Sequence, residues 1–461
     1  MVPPVQPLAE IPGPPGNGFL GSAARFQKDL LGTLTDGHRE YGDLVRYEVL
    51  PGIPRLGVTL VVAHHPDDVR TVLTQTERGL SKDTLGFRVL AEMLGRGLLT
   101  TEGATWKRQR RTVQPLFTPR TINRYAELMA AEATRLDLPD GDFDLDLAMR
   151  RYTLRVVGRA LFSEDIDDTV PALHKLVPEL SDITVRRTFQ PFRVPLNVPT
   201  PRNLAARRVL RQQDAIVRRI LTGAAAGAGV EAEAAARGAG TDDLLTRLRA
   251  ARDPETGEPL SAEEIRDQVL VFLLAGHETT AVALTATLHL LGNHPDEQDK
   301  IAAELAEALA GRPAPSPEDL PRLVRTRAAL CEAMRLYPPA YLTERVTATE
   351  LHLGGHLLPP GVIVMVAPWT THRHPEFWPD PERFDPSRFV GDHGRPHYAY
   401  FPFGGGPRGC VGEHFAMLEA TVLLATVLVK HQVTALRPEL PMQPLITLRP
   451  TAPVPAHLTP R

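Results

Sequence analysis

The segment Phe403-Gly-Gly-Gly-Pro-Arg-Gly-Cys-Val-Gly412 sets a cysteine between a glycine-rich loop and the first turn of an expected helix. Exposed amides and the helix dipole at such a place favour a thiolate. A thiolate needs a metal, a redox partner or an electrophile. The chain has two cysteines, and Cys331 stands far from Cys410 in sequence, beside Glu332 in an apolar helix. Two cysteines exclude a four-cysteine zinc site. A one-thiolate metal site points to haem iron with Cys410 as axial ligand. Arg408 suits a haem propionate, Phe403 can shield the sulfur, and the glycines let the backbone close around it.

Ala275-Gly-His-Glu-Thr-Thr280 lies mid-way along the longest helical pattern. Gly and two Thr are poor helix formers in a helix interior, and such a local cost often marks a site. Gly276 leaves room for a diatomic ligand. The Thr279 hydroxyl can hold water or donate to oxygen, and Glu278 can relay protons. The competing reading has the Thr hydroxyls bonding back to the helix backbone. His277-Glu278 also opens a zinc-hydrolase pattern, but its second histidine would fall at Ala281, so that reading fails.

Phe403-x-x-Gly406-x-Arg408-x-Cys410-x-Gly412 resembles the haem-binding loop of the cytochrome P450 family at every fixed position. The resemblance covers nearly the whole chain and implies haem b as cofactor. It implies that Glu278 and Thr279, with Gly276, form the family's acid–alcohol pair for proton delivery. Glu332-x-x-Arg335 alone is an ordinary i,i+3 pair. With Pro381-Glu-Arg-Phe384 following, the resemblance makes Glu332, Arg335 and Arg383 a buried charge network beneath the haem. Trp106-x-x-x-Arg110 resembles a propionate-gripping helix signature, and Arg345 stands where many members place another propionate ligand. By the same analogy the substrate pocket includes Phe87, Leu90, Phe272, Ala275, Tyr341, Leu342, Thr343 and Thr447.

These apolar positions with a few polar handles suit a mid-sized lipophilic compound. The implied reaction is monooxygenation: O2 is reduced with two electrons, and the substrate is hydroxylated, epoxidised or oxidatively cyclised. Bacterial members with such a composition often act in secondary-metabolite biosynthesis. The chain ends about 50 residues after Cys410, so electrons are expected from a separate ferredoxin and ferredoxin reductase, with NAD(P)H as ultimate donor. Lys107, Arg108 and Arg111 are the candidate docking cations. The alternatives are a haem-thiolate peroxygenase or dehydratase, whose members tend to lack the Glu/Thr pair, and a non-catalytic haem-binding protein.

Positioning these residues requires a mainly helical protein. The 461 residues are 43% apolar and 23% charged, a globular balance. The net charge of -3 gives no support for nucleic-acid binding. No run reaches the about 18 apolar residues of a membrane span, and the N-terminus lacks a signal-peptide pattern. A cytoplasmic protein is expected.

Val58–Ala63 reads as a buried strand. Ser261-Ala-Glu-Glu264 is a capping box that opens a helix running to Asn293, about 45 Å long. Residues 223–240, mostly Ala and Gly, are expected to form an interhelical loop, and Thr184 to Pro201 a lid. Short strands are expected near Leu351–Gly355 and Val362–Val366. An irregular stretch from Pro368 to Gly409 and a helix from Val411 to Lys430 follow. The expected fold class is mainly α with a small β subdomain (α+β), the cytochrome P450 fold. One domain would span 1–461, with its β-rich part at about 43–64 and 346–366 plus C-terminal strands.

Overall fold

The computed structural model describes residues 6–461 apart from 17, 19, 52–56, 76–78, 137, 163–169, 189, 191–193 and 236–242. Helices dominate, and the longest apolar one, Ala262–Gly292, organises the rest. Its capping box is complete: the Ser261 hydroxyl accepts from the Glu264 amide at 3.1 Å, and the Glu264 carboxylate accepts from the Ser261 amide at 2.9 Å. His294-Pro295 ends it, because the residue before a proline is driven out of the helical region.

This helix is buried on nearly every side. It packs against Leu145–Phe162, Val324–Leu336 and the cysteine helix Glu413–Lys430. It is also the one described helix apolar and long enough to cross a membrane, but it is the core of the molecule. A helix apolar all round must be covered by protein or by lipid, and here protein covers it.

The β-rich part is a five-stranded sheet in the order Leu44–Val49, Val58–Ala63, Ile363–Val366, Thr343–Thr347, Leu80–Ser81. Val58–Ala63 pairs antiparallel with Leu44–Val49 and parallel with Ile363–Val366. The β-branched run of that strand is therefore central, as its unbroken apolar character requires. The C-terminal strands stand apart from this sheet. His431–Ala435 and Pro455–Pro460 join Gly141–Asp144, and Met442–Pro444 pairs with Leu448–Pro450.

The Ala-rich segment corrects the sequence reading. Helix Pro201–Ala235 continues through most of it, and residues 236–240 lie outside the described set. Low complexity suggested a loop, but alanine is the best helix former and prolongs a helix already nucleated.

Candidate active site

The cysteine loop is shaped by backbone demands. Gly406 has φ 63°, and a Cβ there would stand 2.4 Å from the Leu73 carbonyl, so no other residue fits. The Cys410 amide donates to Phe403 O at 2.9 Å, closing the loop, and Phe403 packs on the main core. A Cβ on Gly412 would lie 3.8 Å from Cys410 Sγ.

Cys410 is exposed at the lining of the site, yet burial in surrounding protein pushes its thiol up. The Gly412 and Glu413 amides and Arg110 offset this only in part. Desolvation is the largest of these effects, and ligation to a metal cation would favour the thiolate.

A cluster of cations adjoins the loop. The Arg408 guanidinium lies 3.7 Å from the centre of the Trp106 ring and donates to Thr101 O at 2.8 Å. Arg345 is 3% exposed, donates to Thr343 Oγ1 and Glu344 O, and keeps Nε without a partner. Burial, then Arg408, lowers it to about 10.

Lys82, which the sequence did not single out, is also buried. Its Nζ donates to Leu99 O at 2.5 Å and lies 4.0 Å over the Phe87 ring. Burial first, then Arg345 and Arg408, holds it well below the usual lysine range. Glu102 and Glu344 offset these charges, but burial drives Glu344 toward its neutral form. An excess of buried positive charge is costly without an anion, and the paired propionates of haem fit it.

Arg110 behaves otherwise. Its Nη1 donates to Gly409 O at 2.7 Å and its Nε to Gln114 Oε1 at 3.0 Å. It clamps the Trp106 helix to the loop one residue before Cys410.

On the central helix Ala275 is exposed and Gly276 and Thr279 half-buried, between buried neighbours. The Thr279 hydroxyl donates to Ala275 O at 2.7 Å. Glu278, 3% exposed, turns elsewhere and is held by Arg150 at 3.4 Å and Arg449 at 3.3 Å. Neither arginine was legible beforehand.

Behind Thr280 lies Glu419, fully buried on the cysteine helix. Burial holds its carboxyl well above the usual range, the Thr280 hydroxyl opposing weakly. The folded state keeps this proton where the unfolded chain loses it above about pH 4.3. Ionisation in the unfolded state then draws stability down as pH rises. Glu419→Gln is expected to raise the urea midpoint at neutral pH, with a gain that shrinks to nothing below about pH 4. An equal change at both pH values would mean that Glu419 folds ionised.

The charge network is real in two members and corrected in the third. Arg335 and Glu332 are both 0% exposed and meet through two bonds of 2.7 and 2.8 Å. Arg335 also donates to the carbonyls of His372, Pro381 and Arg383. Arg383 thus contributes its backbone only, and its side chain is exposed. The second cation facing Glu332 is Arg388, at 3.5 Å. The Asp385 amide completes the carboxylate at 2.9 Å.

Among the expected pocket residues, Leu90 and Phe87 sit half-buried on helix Leu85–Leu94. Phe272, one turn before Ala275 on the same helix, is buried and packs against Phe117 with ring centres 5.2 Å apart. Tyr341 is buried and its hydroxyl donates to Leu445 O at 2.7 Å, which removes it as a free handle. Leu342 packs against the buried cluster that contains Tyr341, Tyr47 and Leu34, and Thr343 accepts from Arg345 at 3.1 Å. Thr447 Oγ1 is buried without a hydrogen-bond partner.

The expected lid belongs to helix Val170–Thr188 as far as Thr188, and residues 189 and 191–193 of it lie outside the described set. Arg187 ties this helix to Glu92 and Asn203, both at 3.0 Å. Of the docking cations, Arg111 is committed to Asp253 and Glu255 and Arg108 to Glu264, because helix Gly103–Val113 faces acidic neighbours across the fold. Lys107 is exposed.

A cysteine ligand beside a buried cation cluster, with a threonine on the open face of a long core helix, describes the class of haem-thiolate oxidoreductases. The chain belongs to the cytochrome P450 family, whose model matches residues 11–454. It is 36% identical over 394 residues to cyclooctat-9-en-7-ol 5-monooxygenase of Streptomyces melanosporofaciens, covering 84% of this chain and 82% of that protein. It is 34% identical over 413 residues to pentalenene oxygenase of Streptomyces avermitilis, covering 88% and 87%. A mouse relative, leukotriene-B4 omega-hydroxylase 3, is 31% identical over 417 residues, covering 85% and 79%. The protein is a cytochrome P450 monooxygenase, and its cofactor is haem b.

Proposed function

We propose that this monooxygenase oxidises a cyclic terpene hydrocarbon or alcohol in secondary-metabolite biosynthesis, with electrons from a separate ferredoxin and its reductase. The observation that carries the substrate class is the likeness, over most of both chains, to two Streptomyces oxygenases named for cyclooctat-9-en-7-ol and pentalenene. The open helix face at Ala275 supports a compound held mainly by apolar contact.

Haem iron ligated by Cys410 would supply the activation of dioxygen. Lys82, Arg345 and Arg408 would hold the propionates, with Trp106 stacked beneath Arg408. Arg110 fixes the cysteine loop through Gly409 O. The Glu332–Arg335 pair secures the segment between the strands and that loop.

A spin-state titration of the ferric holoenzyme tests the substrate class. Cyclic terpenes are expected to convert the low-spin spectrum to high spin at micromolar concentration. A shift with long-chain fatty acids alone would replace the terpene reading with the chemistry of the omega-hydroxylase relative.

A further inference from the structure

A second cluster of ligand-type side chains lies outside this site, at one end of the five-stranded sheet. His38 lies in the last turn of helix Leu30–Tyr41, and Asp43 precedes strand Leu44–Val49. His64 follows strand Val58–Ala63, and His374 follows the turn after Ile363–Val366. Three paired strands therefore bring these residues together, and the His64 amide fixes Asp43 by donating to its carbonyl at 2.9 Å. His374 is 331 residues from Asp43 in sequence.

The ligand-type atoms converge. His374 Nε2 is 3.0 Å and His38 Nε2 3.4 Å from Asp43 Oδ1, and one atom from each residue lies within 4.8 Å of the others. Tetrahedral zinc with bonds of about 2.0 Å needs ligands about 3.3 Å apart. The 3.4 Å separation is long for a strong hydrogen bond but matches that spacing.

The imidazoles outnumber their protein partners. His38 stacks on His64 at 4.6 Å and on His374 at 4.8 Å. His64 is fully buried; its Nδ1 meets Thr370 Oγ1 at 2.7 Å, and its Nε2 has no partner. His374 is nearly buried, while Asp43 is exposed enough for an ion to enter.

We propose that His38 Nε2, His374 Nε2 and an Asp43 carboxylate oxygen bind one zinc-class divalent ion, with water as the fourth ligand. Imidazole and carboxylate together suit zinc. The His374 ring proton moves to Nδ1 on binding, and its 3.3 Å contact with the Glu376 amide opens. The ion clips the end of the N-terminal helix to a segment more than 300 residues away, a closure that favours the folded state.

The test titrates zinc chloride into chelator-treated holoenzyme by calorimetry. One equivalent is expected to bind and to raise the melting temperature. Asp43→Asn and His38→Ala are each expected to weaken binding about tenfold or more and to cancel the thermal shift. His457→Ala, which removes another exposed His–Asp pair, is expected to change neither. Zinc-edge absorption of the loaded holoenzyme should show two imidazole nitrogens and oxygen. Binding that survives both Asp43→Asn and His38→Ala, a sulfur ligand at the zinc edge, or no binding at all would each overturn the proposal. Haem content of the variants reports that they are folded. Asp43→Asn, at an exposed turn, decides the matter if a histidine variant is recovered unfolded.

Discussion

Glu332→Ala is expected to be recovered nearly free of haem, while Arg383→Ala keeps a full complement. Arg335 is fully buried, and among the described residues its one carboxylate partner is Glu332, which takes two of its bonds. Deleting that carboxylate leaves a guanidinium held by three carbonyls with its charge uncompensated. Breaking a buried pair in this way costs about 3–5 kcal/mol, a large part of the stability of most domains. The loss is local in its effect. The carbonyls that Arg335 gathers belong to His372, Pro381 and Arg383, in the irregular stretch that leads to the cysteine loop. Without the carboxylate, Arg335, the Asp385 amide and Arg388 lose the partner they share, and the support of the stretch leading to the loop is loosened. Arg383→Ala removes an exposed side chain and leaves the bonded carbonyl intact, so a change within about 0.5 kcal/mol is expected. Arg388→Ala, at 3.5 Å from Glu332, should fall between the two. Haem per polypeptide and the urea midpoint measure all three. Normal haem content in Glu332→Ala would sink the argument.

This contrast also shows what could be read from the chain. Local chemistry was legible. The Ser261 cap, strand Val58–Ala63 and the end of the long helix at His294-Pro295 fall where short-range rules place them. The cysteine loop was legible too, because its glycines answer a backbone need that leaves a mark in sequence.

Which side chain turns inward from an irregular segment was not. Arg383 and Arg388 are five residues apart in a stretch without periodicity, and no pattern tells that the first offers its carbonyl and the second its guanidinium. Lys82, Arg150, Arg449 and Glu419 were missed for a related reason. Each acquires its meaning from a neighbour distant in sequence: Arg408 for Lys82, Glu278 for the two arginines, Thr280 for Glu419. Tyr341 was misread as a free handle because its acceptor, Leu445 O, is 104 residues away.

Thr279→Val is expected to keep consuming electrons while releasing about tenfold less product per electron pair, and Thr279→Ser to behave nearly as the parent. The reason lies in how the hydroxyl is used. Its proton is committed to Ala275 O at 2.7 Å, so on the open side of the helix it presents lone pairs and acts as an acceptor. An acceptor there can hold and orient a water that passes protons toward dioxygen. Valine has the same shape and no lone pair, so the water is lost while the pocket is unchanged. Glu278 differs in kind. It is buried between Arg150 and Arg449 at contacts of 3.4 and 3.3 Å, long enough for the carboxylate to be released without breaking a tight bidentate pair. The resemblance assigns it the relay of protons rather than the orientation of the water. Glu278→Gln removes the carboxylate that can take up and release a proton and is expected to lower turnover about 100-fold, with the product formed per electron pair largely preserved. The two variants therefore separate supply from positioning: one slows the enzyme, the other makes it wasteful. Measuring reductant consumed, peroxide released and product formed in the same reaction distinguishes them. A Thr279→Val enzyme as tightly coupled as the parent would show that the hydroxyl serves only to bond back to its own helix, and the proton route would then have to run through Glu278 alone.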